Sequence, residues 1–91
     1  MNTTAFITGA TSGIGKATAE IFAKNKIRLI LCGRRAERLQ ELQKELSKQT
    51  AVTTLQFDIS KREEVAKALK SLPENFKQVD ILINNAGNAH G

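Results

Sequence analysis

The chain has no tyrosine and no tryptophan, and only one cysteine, one histidine and one proline among its 91 residues. Each scarcity narrows what it can do. Trp and Tyr, two of the side chains on which nucleic-acid binders stack bases, are therefore absent. A lone Cys32 cannot close an internal disulfide. It follows Leu29, Ile30 and Leu31 in an apolar strand, which suits a buried inert thiol better than a reactive one. His90, the sole imidazole, reads as a loop residue near the mouth of a site rather than as a catalyst, and no metal centre is expected. No apolar run approaches the roughly 18 residues that a membrane span needs, so no membrane partner is expected. Met1 leads directly into a strand, with no basic segment, apolar stretch and cleavage site of a secretory leader; the expectation is a cytoplasmic protein. There is no repeat, low-complexity tract or linker, and the length allows one domain, residues 1–91, with a modest core.

An apolar share of 41% with regular periodicity argues for a folded piece. The net charge of +5 raises nucleic acid as a partner, but its distribution argues against one. Lysines and arginines are spread over three helical segments with glutamates among them, and only Gly33-Arg34-Arg35 concentrates charge.

Strand and helix signals alternate along the whole chain. Strands are expected near Thr3 to Thr8, Ile27 to Cys32, Val52 to Phe57 and Val79 to Asn84, with helices over Ser12 to Lys24, Ala36 to Lys48 and Lys61 to Leu72. The first helix places Ile14, Ala17, Ile21 and Phe22 at i, i+3, i+7 and i+8, on one face, predicting its core face. The second presents Leu39, Leu42 and Leu46 as one stripe. The third opens on Ser60-Lys61-Arg62-Glu63, the pattern of a capping box, presents Val65, Leu69 and Leu72, and stops at Pro73. Asn25 and Asn75 fall where the chain turns and are expected to take left-handed conformations. This βαβαβαβ order predicts an α/β fold with a parallel sheet. Right-handed crossovers favour strand order 3-2-1-4, with the first two helices on one face, the third on the other, and a switch point between strands 1 and 4.

The octapeptide Thr8 to Gly15, TGATSGIG, joins the first strand to the first helix. A helix N-terminus leaves its first amides unpaired and partly positive, and glycines let an anionic phosphate approach them. Gly9, Ala10, Thr11, Ser12, Gly13, Ile14 and Gly15 are therefore the expected pyrophosphate-binding residues of a dinucleotide site. About 20 residues on, where the discriminating residue of such sites falls, stand Arg34 and Arg35. An acid there would bond a ribose 2'-hydroxyl; guanidinium groups instead attract a 2'-phosphate. The expected cofactor is NADP(H).

With Thr8, the spacing Gly9-x-x-x-Gly13-x-Gly15 resembles the TGxxxGxG fingerprint of the short-chain dehydrogenase/reductase family. Asp58-Ile59 after the third strand and Asn84-Asn85-Ala86-Gly87 after the fourth resemble two further motifs of that family, in the right order. The resemblance implies a Rossmann-type fold in which Asp58 bonds the adenine amino group and Ile59 packs on the ring; a simple helix-capping role for Asp58 stays open. It implies that Asn84 ties strand ends together while Asn85, Ala86 and Gly87 run past the adenosine ribose. The stretch Cys32 to Leu46, with SLPENF, VDILINNAG and Gly91, looks closest to the NADP-dependent 3-hydroxy acid (serine) dehydrogenase branch.

In that family a serine, a tyrosine and a lysine, the last two as Y-x-x-x-K, reduce a carbonyl from elements beyond the fourth strand. This chain has no tyrosine, so no catalytic residue is assigned in it. The resemblance thus implies the N-terminal, cofactor-binding portion of an oxidoreductase that passes hydride between nicotinamide and a small hydroxyl or carbonyl substrate, with a 3-hydroxy acid such as serine as the candidate. These 91 residues alone are expected to be inactive. The family implies a homo-oligomer, with four subunits in intact members, and the fourth strand's free edge invites self-association. The alternative reading is a non-catalytic NADP-binding sensor or regulatory module.

Overall fold

The computed structural model describes residues 3–58 and 60–85. Its elements run β1 (Thr4–Thr8), α1 (Gly13–Lys24), β2 (Arg28–Gly33), α2 (Ala36–Leu46), β3 (Val52–Gln56), α3 (Arg62–Lys70), a 3-10 turn (Glu74–Phe76) and β4 (Ile81–Asn84). The sheet is four-stranded in the order β3-β2-β1-β4. Every pairing is parallel, as helical crossovers require. The expected order and the switch point between β1 and β4 are both observed.

Two apolar layers sandwich the sheet. On one face Ala5, Ile7, Leu29 and Leu31 meet Ala19 and Ala23 of α1 and Leu39, Leu42 and Leu46 of α2. On the other, Phe6, Ile30, Cys32, Leu55 and Phe57 meet Leu72 and Phe76, with Val65 and Ala68 of α3 partly buried against them. Alternation along β1 and β2 sends odd and even residues to opposite layers. Both faces of β1 are covered, so all five of its residues are buried.

The core face of α1 differs from the one its large side chains suggest. Ile14 and Ile21 are 76% and 59% exposed, and Ala17 is exposed as well. The buried residues are Gly15, Ala19 and Ala23, with Phe22 partly buried. The reason is distance. A Cβ on Gly15 would lie 2.2 Å from the Gly9 carbonyl oxygen, so this helix is seated against the β1 turn through its smallest residues. Ala19 and Ala23 continue that close row at intervals of four, and the isoleucines are turned outward.

Other local expectations are corrected at the ends of elements. α1 starts at Gly13 with Ser12 as N-cap, and α2 ends at Leu46, two residues early. The third helix begins at Arg62 and ends at Lys70, three residues before Pro73, so Leu72 reaches the core from outside it. The Ser60 to Glu63 capping box does not form. Instead the Ser60 hydroxyl and amide donate to Asp58 Oδ1, at 2.8 and 3.0 Å, and the Asp58 amide donates to Glu64 Oε1 at 3.2 Å. Asp58 stands two residues before Ser60, the spacing at which an aspartate closes an Asx turn, and takes both donors. Leu69 is 43% exposed, and α3 has no fully buried residue. β4 begins at Ile81, two residues late, because Asp80 is held beside β1 by its own bonds: its amide donates to the Thr4 carbonyl and its Oδ2 accepts the Thr4 amide, each at 2.9 Å.

The left-handed residue after α1 is Lys26, at φ 61°, rather than Asn25 at φ −92°. Asn25 acts through its side chain, whose Nδ2 donates to the Ile21 carbonyl at 2.9 Å. Asn75 lies inside the 3-10 turn. That turn was not foreseen; it buries Phe76, over whose ring the Arg28 guanidinium sits at 5.0 Å.

Candidate functional site

In an open parallel sheet, strands whose crossovers run to opposite faces leave a crevice at their carboxyl ends. Here that crevice lies above β1, β2 and β4, and it is a cleft of about 690 Å³. Thr8, Gly9, Thr11, Ser12 and Ile14 line it from the β1–α1 turn, Gly33, Arg34, Arg35 and Arg38 from the end of β2 and the start of α2, Phe57, Asp58 and Ser60 from the end of β3, and Asn85 from the end of β4, over a floor at Cys32. Motifs separated by up to 77 positions in the chain thus share one wall.

The glycines of the turn do three different jobs. Gly9 sits at φ 61°, where a side chain is disfavoured, and so reverses the chain after β1. Gly15 lets α1 touch that reversal. Gly13 faces open space, with nothing within 4 Å of where its Cβ would be. The Ala10 amide donates to the Cys32 carbonyl at 3.1 Å, tying the turn to β2, and its side chain is fully buried. Ala10 is therefore a brace beneath the cleft. Ser12 folds back, its amide and hydroxyl donating to the Gly9 carbonyl at 3.2 and 2.8 Å. The first helical bond is Lys16 to the Ser12 carbonyl at 2.7 Å. Among the described residues, the amides of Gly13, Ile14 and Gly15 have no backbone acceptor, and no acidic residue occupies the first turn. An anion would supply what those donors lack.

Thr8 locks β1 to β4. Its buried hydroxyl donates to Asn84 Oδ1 at 3.0 Å and accepts the Asn85 amide at 3.1 Å. Asn84 does tie strand ends together, and Thr8 is the partner that the sequence did not identify. Next to this knot, Asn85 Nδ2 is buried without a hydrogen-bond partner among the described residues, on the wall of the cleft. An unsatisfied buried amide costs about 1–3 kcal/mol. A ligand oxygen in the cleft would remove that penalty.

Arg34 and Arg35 are exposed at the opposite end. Arg35 is the N-cap of α2 in extended conformation. Gln56 Nε2 donates to the Arg34 carbonyl at 3.2 Å, holding this corner against β3. The Asp58 carboxyl is held below the usual carboxylate range, chiefly by the Ser60 hydroxyl, next by the Ser60 amide, and more weakly by the charges of Arg34 and Lys61. Cys32 is the reverse case: burial pushes its thiol up to about 12, so it is protonated at neutral pH. It is floor rather than nucleophile. Ile59, Ala86, Gly87 and His90 lie outside the described residues. Among the described residues no group of three or more His, Cys, Asp or Glu converges as a metal site would require, and no helix is long and apolar enough to cross a membrane.

Residues 3–91 match the family model of the short chain dehydrogenases. The chain belongs to that family. Its parallel sheet superposes on solved members of this oxidoreductase family. One relative is the serine 3-dehydrogenase of Rhizobium radiobacter, 50% identical over 91 residues that are all of this chain and 36% of that protein. Another is the NADP-dependent 3-hydroxy acid dehydrogenase of Schizosaccharomyces pombe, 45% identical over 97% of this chain and 35% of its own length. Among solved structures, L-sorbose reductase from Gluconobacter frateurii complexed with NADPH and L-sorbose superposes with a TM-score of 0.86, at 38% identity over 94% of this chain and 34% of that one. This short-chain dehydrogenase chain spans about a third of the length of the curated relatives it matches.

Thr8, Cys32, Gly33, Arg38, Phe57 and Ser60 line the cleft in addition to the expected site residues. For Arg38 a signal was present. It is the third residue of a helix that starts at the cleft, three positions beyond Arg35.

Proposed function

We propose that residues 1–91 are the N-terminal dinucleotide-binding portion of an NADP(H)-dependent short-chain oxidoreductase. The observation that carries the proposal is one cleft with complementary ends: Thr11, Ser12 and Ile14 beside unpaired helix amides at one, and the guanidinium groups of Arg34, Arg35 and Arg38 at the other. Gly9, Thr11, Ser12, Gly13, Ile14 and Gly15 would hold the pyrophosphate, braced by Ala10. Asn85, followed by Ala86 and Gly87, would run along the adenosine ribose. Asp58 and Ile59 would take the adenine, and Arg34 and Arg35 the 2'-phosphate. The orphaned Asn85 amide and the open space at Gly13 fit such a ligand. When bound, the nicotinamide would supply or accept the hydride.

The substrate proposed for the whole enzyme is a small hydroxyl or carbonyl compound, with a 3-hydroxy acid such as serine first in line. Support comes from the 50% identity to a serine 3-dehydrogenase and from the relative named as a 3-hydroxy acid dehydrogenase. Proton transfer to the alkoxide needs an acid in hydrogen-bond reach. None of the 91 residues is a tyrosine, so these residues provide the cofactor half of the reaction and do not turn over by themselves. A cytoplasmic setting accompanies this reading.

Titration of the chain with NADPH and NADH by isothermal calorimetry tests the proposal. Replacing Arg34 and Arg35 together by alanine should weaken NADPH binding by about 10- to 100-fold, from the loss of charge-assisted bonds worth about 1.5–3 kcal/mol. NADH binding should stay nearly unchanged. Equal losses for both cofactors would remove the 2'-phosphate assignment.

A further inference from the structure

Arg38 shares the cleft with Arg34 and Arg35 and has so far been given no role. It is the third residue of α2, three positions after the extended N-cap Arg35, and both residues line the same cleft. Arg34 directly follows β2. All three are exposed. Among the described residues the only ion pairs are Lys61–Glu64 and Lys77–Glu74, so none of the three arginines has a carboxylate within 4.0 Å, although Glu37 and Glu41 lie on the same helix.

This arrangement is unfavourable by itself. Three guanidinium groups repel one another, and they do so at the positive end of a helix, where acids are the stabilising residues. Asp58 offsets part of that charge through its attraction to Arg34, but its Oδ1 is already taken by Ser60. A phosphate monoester reverses the balance. It carries close to two negative charges and three strong acceptor oxygens, one for each planar fork. A pyrophosphate bridge offers fewer free oxygens per phosphorus and is already provided for at the glycine turn.

We propose that Arg38 is a third specificity-determining residue, joining Arg34 and Arg35 around the terminal phosphate monoester on the cofactor ribose. This rests on the NADP(H) reading above. The charge at this corner is thereby matched to the doubly charged monoester rather than to a ribose hydroxyl.

The test is calorimetric titration of the chain and its Arg38→Ala variant with NADPH, NADH and adenosine 2',5'-bisphosphate. Wild-type protein should bind NADPH more tightly than NADH. If it does not, the parent reading fails, whatever Arg38 does. Given that preference, Arg38→Ala should weaken NADPH and adenosine 2',5'-bisphosphate by roughly tenfold, the scale of one lost phosphate contact, and leave NADH unchanged. Arg38 is exposed, so the variant should keep the wild-type thermal transition, and circular dichroism checks that it does. Unchanged NADPH affinity, or an equal loss for NADPH and NADH, would overturn the role of Arg38 while leaving that of Arg34 and Arg35 intact.

Discussion

Adding one methyl group to Gly15 and one to Gly13 should produce opposite results two residues apart. At Gly15 the new Cβ would lie 2.2 Å from the Gly9 oxygen, 3.0 Å from the Gly9 carbonyl carbon and 3.2 Å from Ala10 Cα. All three are backbone atoms, which cannot rotate aside, and Gly9 is already committed to φ 61° to turn the chain. Relief therefore requires moving α1 away from β1, against the packing of Ala19 and Ala23. Overpacking of this kind costs about 1–3 kcal/mol, and immobile backbone puts it at the upper end. Alanine recovers up to about 1 kcal/mol of helix propensity. The net loss should be about 2 kcal/mol. For a domain of this size each kcal/mol moves Tm by about 4–8 °C, so Gly15→Ala should melt roughly 8–16 °C below wild type in a far-ultraviolet circular dichroism scan. At Gly13 nothing lies within 4 Å, and Gly13→Ala should melt at or slightly above wild type. A Gly15→Ala protein as stable as wild type would refute the argument that close approach to the turn decides which face of α1 is buried. The pair also separates folding from binding. Gly13→Val should keep the fold yet abolish binding of NADPH and NADH alike, because the new side chain fills the space beside the unpaired amides.

Two further outcomes follow from burial and exposure. Cys32 is 1% exposed with its thiol pushed up to about 12 from 9.0, so N-ethylmaleimide should label it at pH 8 only in denaturant, and rapid labelling of folded protein would contradict the buried floor. The same shift has a sign in stability. The folded state keeps the thiol protonated where the unfolded chain ionises, so its contribution is fully present below pH 9 and is lost as pH rises from 9 toward 12; denaturant midpoints across that window should fall more in wild type than in Cys32→Ala. At the other side of the sheet, β4 pairs only with β1 among the described residues, and Leu82 is 67% exposed. The chain should therefore self-associate through this edge at high concentration, and a monodisperse monomer by light scattering would count against it.

What could be read from the residues alone was whatever depends on short range. Alternating apolar runs and helical stripes announce seven elements, and the stripe Leu39, Leu42, Leu46 is buried as its spacing indicates. The glycine turn, the arginine pair and the asparagine motif each keep their local signature, and right-handed crossover leaves one simple strand order to carry them to a common edge. What misled was side-chain size on α1. Hydrophobicity ranks Ile14 and Ile21 above Gly15, Ala19 and Ala23, but the inward face is set by how near the helix must come to β1, a distance no local pattern records.

The sequence by itself therefore determined the family and the layered α/β order, because these rest on residue type and on separations along the chain. Only the tertiary structure decided that Thr8 clasps Asn84 and Asn85, that Asp58 takes the Ser60 donors instead of leaving them to a capping box, and that Arg38 stands with Arg34 and Arg35. Those outcomes are set by contacts between segments brought together in space, where the nearest group of suitable geometry takes the bond.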